Sequence, residues 1–306
     1  MIRLTLTSSV LALVTAAAQA DCTEVTFSDV GWTDITATTA AATVVLEALG
    51  YETDVKVLSV PVTYTSMAAG DIDVFLGNWM PTMEADIAPY RDAGTVETVR
   101  ANLEGAKYTL AVNDAAQALG IASFGDIAAY ADALDSKIYG IEPGNDGNRL
   151  IQSMIDADAF GLSDFEVVES SEQGMLAQVD RLSDRQEPIV FLGWEPHPMN
   201  STFKLTYLEG GDDFFGPNLG GATVFTNTRA GYVEECPNVG KLLENMSFSL
   251  AMENEIMGAI LNDGTDPNEA AQAWLAANVG VLDGWLDGVT TVDGGDAKAA
   301  VTSVLQ

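Results

Sequence analysis

Three tryptophans, Trp32, Trp79 and Trp194, share one local pattern. They lie in SDVGWTDIT (28–36), DVFLGNWMP (73–81) and IVFLGWEPHP (189–198), each after a strand-like run and one or two residues past a glycine. Glycine permits a sharp exit that swings the following side chain over the strand tips. The pattern therefore predicts three indoles gathered at one set of strand ends. Core packing demands no such regularity, and Trp274 and Trp285, which lack it, read as helix-face core residues. Asp34 stands two positions after Trp32; it reads as a cap for a helix from Thr36 onward, as a ligand's counter-charge, or as both. Several ring faces with one carboxylate suit a quaternary ammonium. Such a cation has no N–H by which hydrogen bonds could select it, whereas the negative faces of aromatic rings attract it.

The elements that must position these residues alternate cleanly. Strands are predicted at Val25–Val30, Thr53–Val60 and Asp71–Leu76, with helices at Thr36–Leu49, stopped by Gly50, and Tyr64–Ala69, stopped by Gly70. A second series follows: a strand at Tyr108–Val112, helical material over Ile127–Leu134, and a strand at Lys137–Ile141. PGNDGN (143–148) then opens a helix to about Asp156, before a strand at Phe165–Val168, a helix at Gly174–Leu182 and a strand at Ile189–Leu192. Beyond GGDDFFGPNLGG (210–221) a strand at Ala222–Thr226 leads into a mostly helical remainder, with a marked start at Asp266-Pro267-Asn268-Glu269. Strand–helix–strand units with short links imply mostly parallel sheets covered on both faces. The reading is α/β and bilobal, with two mixed, mostly parallel sheets flanked by helices. Lobe 1 is discontinuous (21–109 and 211–306), lobe 2 is inserted (110–210), and two crossings form the hinge. Ligands in open α/β sheets bind outside the carboxyl ends of strands, and here both lobes would present such ends to one cleft.

Composition narrows the function classes. The 306 residues carry 45 acids against 13 bases, a formal net charge of −32. That balance excludes nucleic acid, whose phosphates need a basic footprint, and reads otherwise as a well-hydrated surface. MIRLTLTSSVLALVTAAAQA has a basic Arg3, an apolar run and Ala18-Gln19-Ala20, the layout of an export signal cleaved after Ala20. Export makes a disulfide the default for Cys22 and Cys236, tying the first strand to the last third of the chain. No GxSxG, HExxH, CxxC or nucleotide-binding glycine fingerprint occurs. His197 is the single histidine, with Ser201 and Thr202 its nearest hydroxyls but no motif around them. No enzyme, cofactor or metal is expected.

At this point the motifs GWTD, FLGNWMPT, AKYTLAV, GIEPGNDGN and LGWEPHPMN resemble those of the periplasmic substrate-binding proteins of choline and glycine betaine ABC importers, most closely the choline-binding branch. The resemblance covers essentially the whole mature chain. It implies a type II periplasmic binding protein, a monomer, which closes on choline and delivers it to a membrane permease. It implies an aromatic box of Trp32, Trp79, Tyr108 and Trp194, with Asp34 beside the ammonium and Asn145 at the ligand hydroxyl. From the residues alone, Tyr108 is a strand-start aromatic near the crossing and Asn145 a turn residue. Glycine betaine, trimethylamine oxide, acetylcholine and carnitine are the alternative ligands. Asp34, Glu142, Asp146 and Glu195 surround the expected box with few bases. His197 is the best candidate donor for a ligand carboxylate, but between Pro196 and Pro198 it reads equally as a structural hydrogen-bonder, and Arg149 reads as pointing to solvent. The acidic balance favours a net cation, hence choline.

Overall fold

In the computed structural model, which describes residues 22–306, nine strands form one continuous hydrogen-bonded ladder. They are β1 (Glu24–Asp29), β2 (Glu52–Val57), β3 (Val74–Met80), β4 (Val96–Asn113), β5 (Lys137–Tyr139), β6 (Glu166–Val168), β7 (Val190–Glu195), β8 (Leu205–Tyr207) and β9 (Gly221–Arg229). The order is β2-β1-β3-β9-β4-β7-β5-β6, with β8 also paired to β4. β1 is parallel to β2 and β3, and β5 is parallel to β6 and β7. The central pairings β3–β9, β4–β9, β4–β7 and β4–β8 are antiparallel.

Two parallel groups, β2-β1-β3 and β7-β5-β6, flank an antiparallel centre, so the two sheets expected are joined into one. The joint is β4, 18 residues long. Its residues 96–107 pair with β9, and residues 107–112 pair with β7. The sequence reading placed only its last part as a strand. β9 returns the last third of the chain to the first half, between β3 and β4. The Cys22–Cys236 disulfide fixes the same return at the chain's start, with the two Cα atoms 5.5 Å apart. The expected export signal lies outside the described residues. Among the described residues, no helix is long and apolar enough to cross a membrane.

The helix α1 (Thr33–Ala48) explains its own alanines and threonines. Nearly every side chain from Thr33 to Leu46 is buried, because α1 packs on β1 and β3 on one side and on the helices Leu250–Asp263 and Pro267–Ala277 on the other. Only small side chains let a helix approach neighbours on all sides. Thr38 and Thr43 close their hydroxyls onto the helix itself, on the Asp34 (3.1 Å) and Ala40 (3.0 Å) carbonyls. Asp266 caps Pro267–Ala277 by accepting from the Asn268 and Glu269 N–H groups.

Candidate binding site

One cavity, about 270 Å³, lies where the two halves meet. Its wall is Trp32, Asp34, Trp79, Tyr108, Ile141, Asn145, Asp146 and Trp194. All six residues singled out from the sequence are in this wall. Trp32 stands immediately before α1, turned in by Gly31 at φ +82°. Trp79 is on β3, and Tyr108 on β4 is directly opposite Trp194 in the β4–β7 ladder. Residues directly opposite in a ladder share a face, so these two rings project together. Tyr108 meets Trp79 (6.1 Å, 60°) and Trp194 (6.3 Å, 77°) edge to face. Tilted rings leave their faces free for a third group.

The glycine rule holds for its first instance and fails for the others. Both β3 and β7 continue through Gly77 and Gly193 to include their tryptophans, and neither glycine has a positive φ. These glycines are required by space. A Cβ on Gly77 would come within 2.7 Å of Ile35, and one on Gly193 within 2.9 Å of Ala111. Gly147 is tighter still, since its Cβ would meet the Tyr108 hydroxyl at 2.1 Å.

Hydrogen bonds pin the wall from behind. Trp32 Nε1 donates to Glu142 (2.8 Å) and Trp79 Nε1 to Asp34 Oδ2 (3.0 Å). The Tyr108 hydroxyl donates to Asn145 Oδ1 (2.9 Å), which also accepts the Asn148 N–H (3.1 Å) as the cap of the helix Asp146–Asp156. With the indole N–H groups committed to carboxyls, the rings offer the cavity their π-systems.

Asp34 is not a helix cap. The helix begins at Thr33, and no side chain of the residue before it makes a cap bond. Asp29 accepts from Gly31 N–H and the Thr36 hydroxyl, and Glu172 accepts from the Thr33 N–H and hydroxyl. Asp34 is instead 1% exposed, with Oδ1 reached by no donor among the described residues. Burial first, and the Glu172 carboxyl second, push its pKa up to about 8. Burial likewise raises Glu142 to about 7 and Asp146 to about 6. Glu253, on the helix behind α1, is held well above its ordinary value by burial and by Asp34. Asp146 leaves Oδ2 unpartnered as well.

Arg149 keeps its side chain exposed, as expected, and from there grips both oxygens of Asp86 at 2.8 Å and reaches the Thr82 carbonyl (3.3 Å). Of the two readings of His197, the structural one holds. His197 is buried behind the wall and cannot serve a ligand. Its Nδ1 accepts the Met199 N–H (2.9 Å), leaving the Nε2 proton for Glu172 (3.2 Å). Nor does it face a nucleophile, because Ser201 and Thr202 both donate to the Pro198 carbonyl. Glu195 is paired with Lys107 (3.0 Å). Ile141 and the pinning role of Glu172 were missed; only the three-dimensional crossing of the chain brings Glu172 to Thr33, 139 positions away.

The family described as the substrate-binding domain of ABC-type glycine betaine transport systems matches residues 23–277. An ABC-transporter choline binding protein solved in complex with choline is 72% identical, with a TM-score of 0.92, over 93% of this chain and 99% of that one. The unliganded, semi-closed form of such a protein has the same identity and coverages but a TM-score of 0.86. The chain is thus nearer in shape to the liganded form. An uncharacterised protein of Chromohalobacter salexigens is 55% identical over 130 residues, 42% of this chain and 84% of that one.

Proposed function

The chain belongs to the family of substrate-binding domains of ABC-type glycine betaine transport systems, and we propose that it binds choline in the aromatic cavity and delivers it to an ABC importer. The family and its relatives are transport binding proteins rather than enzymes, which supports work on the periplasmic side of such an importer. The single observation that carries the ligand reading is the wall itself. Four rings, one unpartnered buried carboxyl oxygen and an amide–carboxyl pair line one cavity.

In this reading Trp32, Trp79, Tyr108 and Trp194 surround the trimethylammonium group and Asp34 supplies its counter-charge. A desolvated cation–π contact is worth about 2 kcal/mol, so four offer roughly 8 gross. Ordering and closure subtract from that sum, and Asp34 adds to it, which supports affinity in the micromolar range. The hydroxyl end falls to Asn145 and Asp146. Asn145 Nδ2 spends one N–H on Asp146 Oδ1 (3.2 Å) and keeps the other, while Asp146 Oδ2 is free to accept. A hydroxyl, being donor and acceptor, satisfies both groups. The carboxylate of glycine betaine would instead face Asp146 and the nearby Glu142.

The cavity draws on residues 21–109 and 211–306 for Trp32, Asp34, Trp79 and Tyr108, and on 110–210 for Asn145, Asp146 and Trp194. We treat these as two lobes, so that only the closed form completes the box and ligand shifts the population toward it. Titration of the mature protein by tryptophan fluorescence tests the reading. Saturation by micromolar choline with a much weaker response to glycine betaine is expected. A response to glycine betaine or trimethylamine oxide but not to choline would move the ligand within the methylated amines. Silence to all would overturn the box.

A further inference from the structure

Asp34 is placed in surroundings that do not suit a carboxylate without a cation. Its one full hydrogen bond comes from the Trp79 indole, the Asp34 and Ile35 backbone N–H groups add weaker support that burial outweighs, and Oδ1 has no hydrogen-bond partner among the described residues. The helix Glu172–Asp184 brings Glu172 onto the adjacent Thr33, and the helix Leu250–Asp263 brings the buried Glu253 up behind α1. Asp29 ends β1 beside the same turn. From the opposite wall come Tyr108 on β4 and Asp146 at the start of its helix, neither of them cationic. His197 is engaged by Glu172 as a neutral ring, and Arg149 is taken by Asp86. Every charged group facing Asp34 is therefore an acid, and the cavity walls are apolar rings.

Resting on the choline reading, we propose that a proton and the quaternary ammonium compete for Asp34: the empty closed box holds it as the neutral acid, and the entering cation displaces that proton to solvent. The chemistry balances as one O–H bond broken, one proton delivered to buffer, and one ion pair formed without loss of charge. Burial and Glu172 set the proton's affinity, to a pKa of about 8, while the permanent cation offers the carboxylate the compensation that the protein withholds. Since Glu172 reaches Thr33 only across the cleft, closing the lobes without ligand itself favours protonation. Acid then stabilises the empty closed form against choline.

The test is calorimetric titration of choline, and separately tetramethylammonium, in phosphate and in Tris at several pH values. Proton release on binding is expected for both, growing as pH falls, and choline Kd should rise as pH is lowered through the Asp34 range. In Asp34→Asn the residual binding should release no proton and lose its pH dependence. Heats independent of buffer, with choline still bound, would overturn the proposal and leave the choline reading standing. Proton release that persists in Asp34→Asn would overturn the assignment to Asp34. Should that variant fail to fold, Glu142→Gln and Asp146→Asn serve: unchanged release supports Asp34, and its loss in either overturns it. No binding of choline at any pH would defeat the functional reading itself.

Discussion

Replacing Arg149 by Gln, Asp86 by Asn, and both together tests whether contacts across the cleft hold the ligand in. Arg149 stands on the helix Asp146–Asp156 and Asp86 on the helix Glu84–Asp92, in different halves of the sheet. Two N–H groups meet the two carboxylate oxygens, each at 2.8 Å. The arginine side chain is 41% exposed and the aspartate 9%. An exposed pair is worth about 0.2–1 kcal/mol. The two-pronged geometry and the covered carboxylate raise that figure, while water on the guanidinium limits it, so about 1–2 kcal/mol is expected. This corresponds to a factor of roughly 5–30. On the proposed two-lobe reading the pair forms as the cleft shuts, so its loss should appear in departure rather than arrival. Stopped-flow tryptophan fluorescence should show choline dissociating about 5–30 times faster in each single variant, with the association rate little changed. Each substitution removes the same two bonds, so the double variant should add little to either single one. Unchanged dissociation, a fall confined to the association rate, or fully additive effects would refute the latch.

Gly147→Ala should damage the site without disturbing its helix. Gly147 stands in the helix's first turn, and the added Cβ would collide with the Tyr108 hydroxyl and with Leu192 (2.9 Å). Displacing that ring and its bond to Asn145 should raise choline Kd about tenfold or more, with an unchanged far-ultraviolet circular dichroism spectrum; retained affinity would show that the box does not need Tyr108 in place. The double variant Cys22→Ser, Cys236→Ser opens a loop with a sequence separation of 214. An upper-end loss of about 5 kcal/mol should lower the thermal midpoint by up to roughly 10 °C, and choline affinity should hold, since neither cysteine lines the cavity.

What the sequence made legible follows from how local each signal is. The alternation of β1, α1, β2 and β3 was readable because glycine stops and apolar periodicity act within a few residues; α1 starts only three residues earlier than read. β4 was not, because VETVRANLEG carries three charged side chains among its ten residues. Pairing along both edges makes that stretch a strand, and charge on its solvent side is no obstacle. The tryptophans were found by a rule only partly correct. Gly31 does turn the chain, whereas Gly77 and Gly193 are there because neighbouring side chains leave no room for a Cβ. The same residue type answered two different constraints, and sequence alone does not separate them.

The charge was the least legible feature, and it bears most on function. A balance of −32 reads as hydrated surface, yet the buried acids Asp34, Asp146, Glu172 and Glu253, with the half-buried Glu142, converge around one cavity. Removing a carboxylate from water carries a penalty of several kcal/mol unless donors or an opposite charge answer it. Some of that answer is built in: the Trp32 and Trp79 N–H groups, the Thr33 N–H and hydroxyl, and the Asn145 amide. None of these donors is a cation. A neutral ligand would leave the remainder to protonation, and a zwitterion would bring a further carboxylate into an acidic wall. A permanent cation with an uncharged far end meets both conditions, and for that reason the carboxyls behind the rings discriminate among methylated amines where the rings themselves cannot.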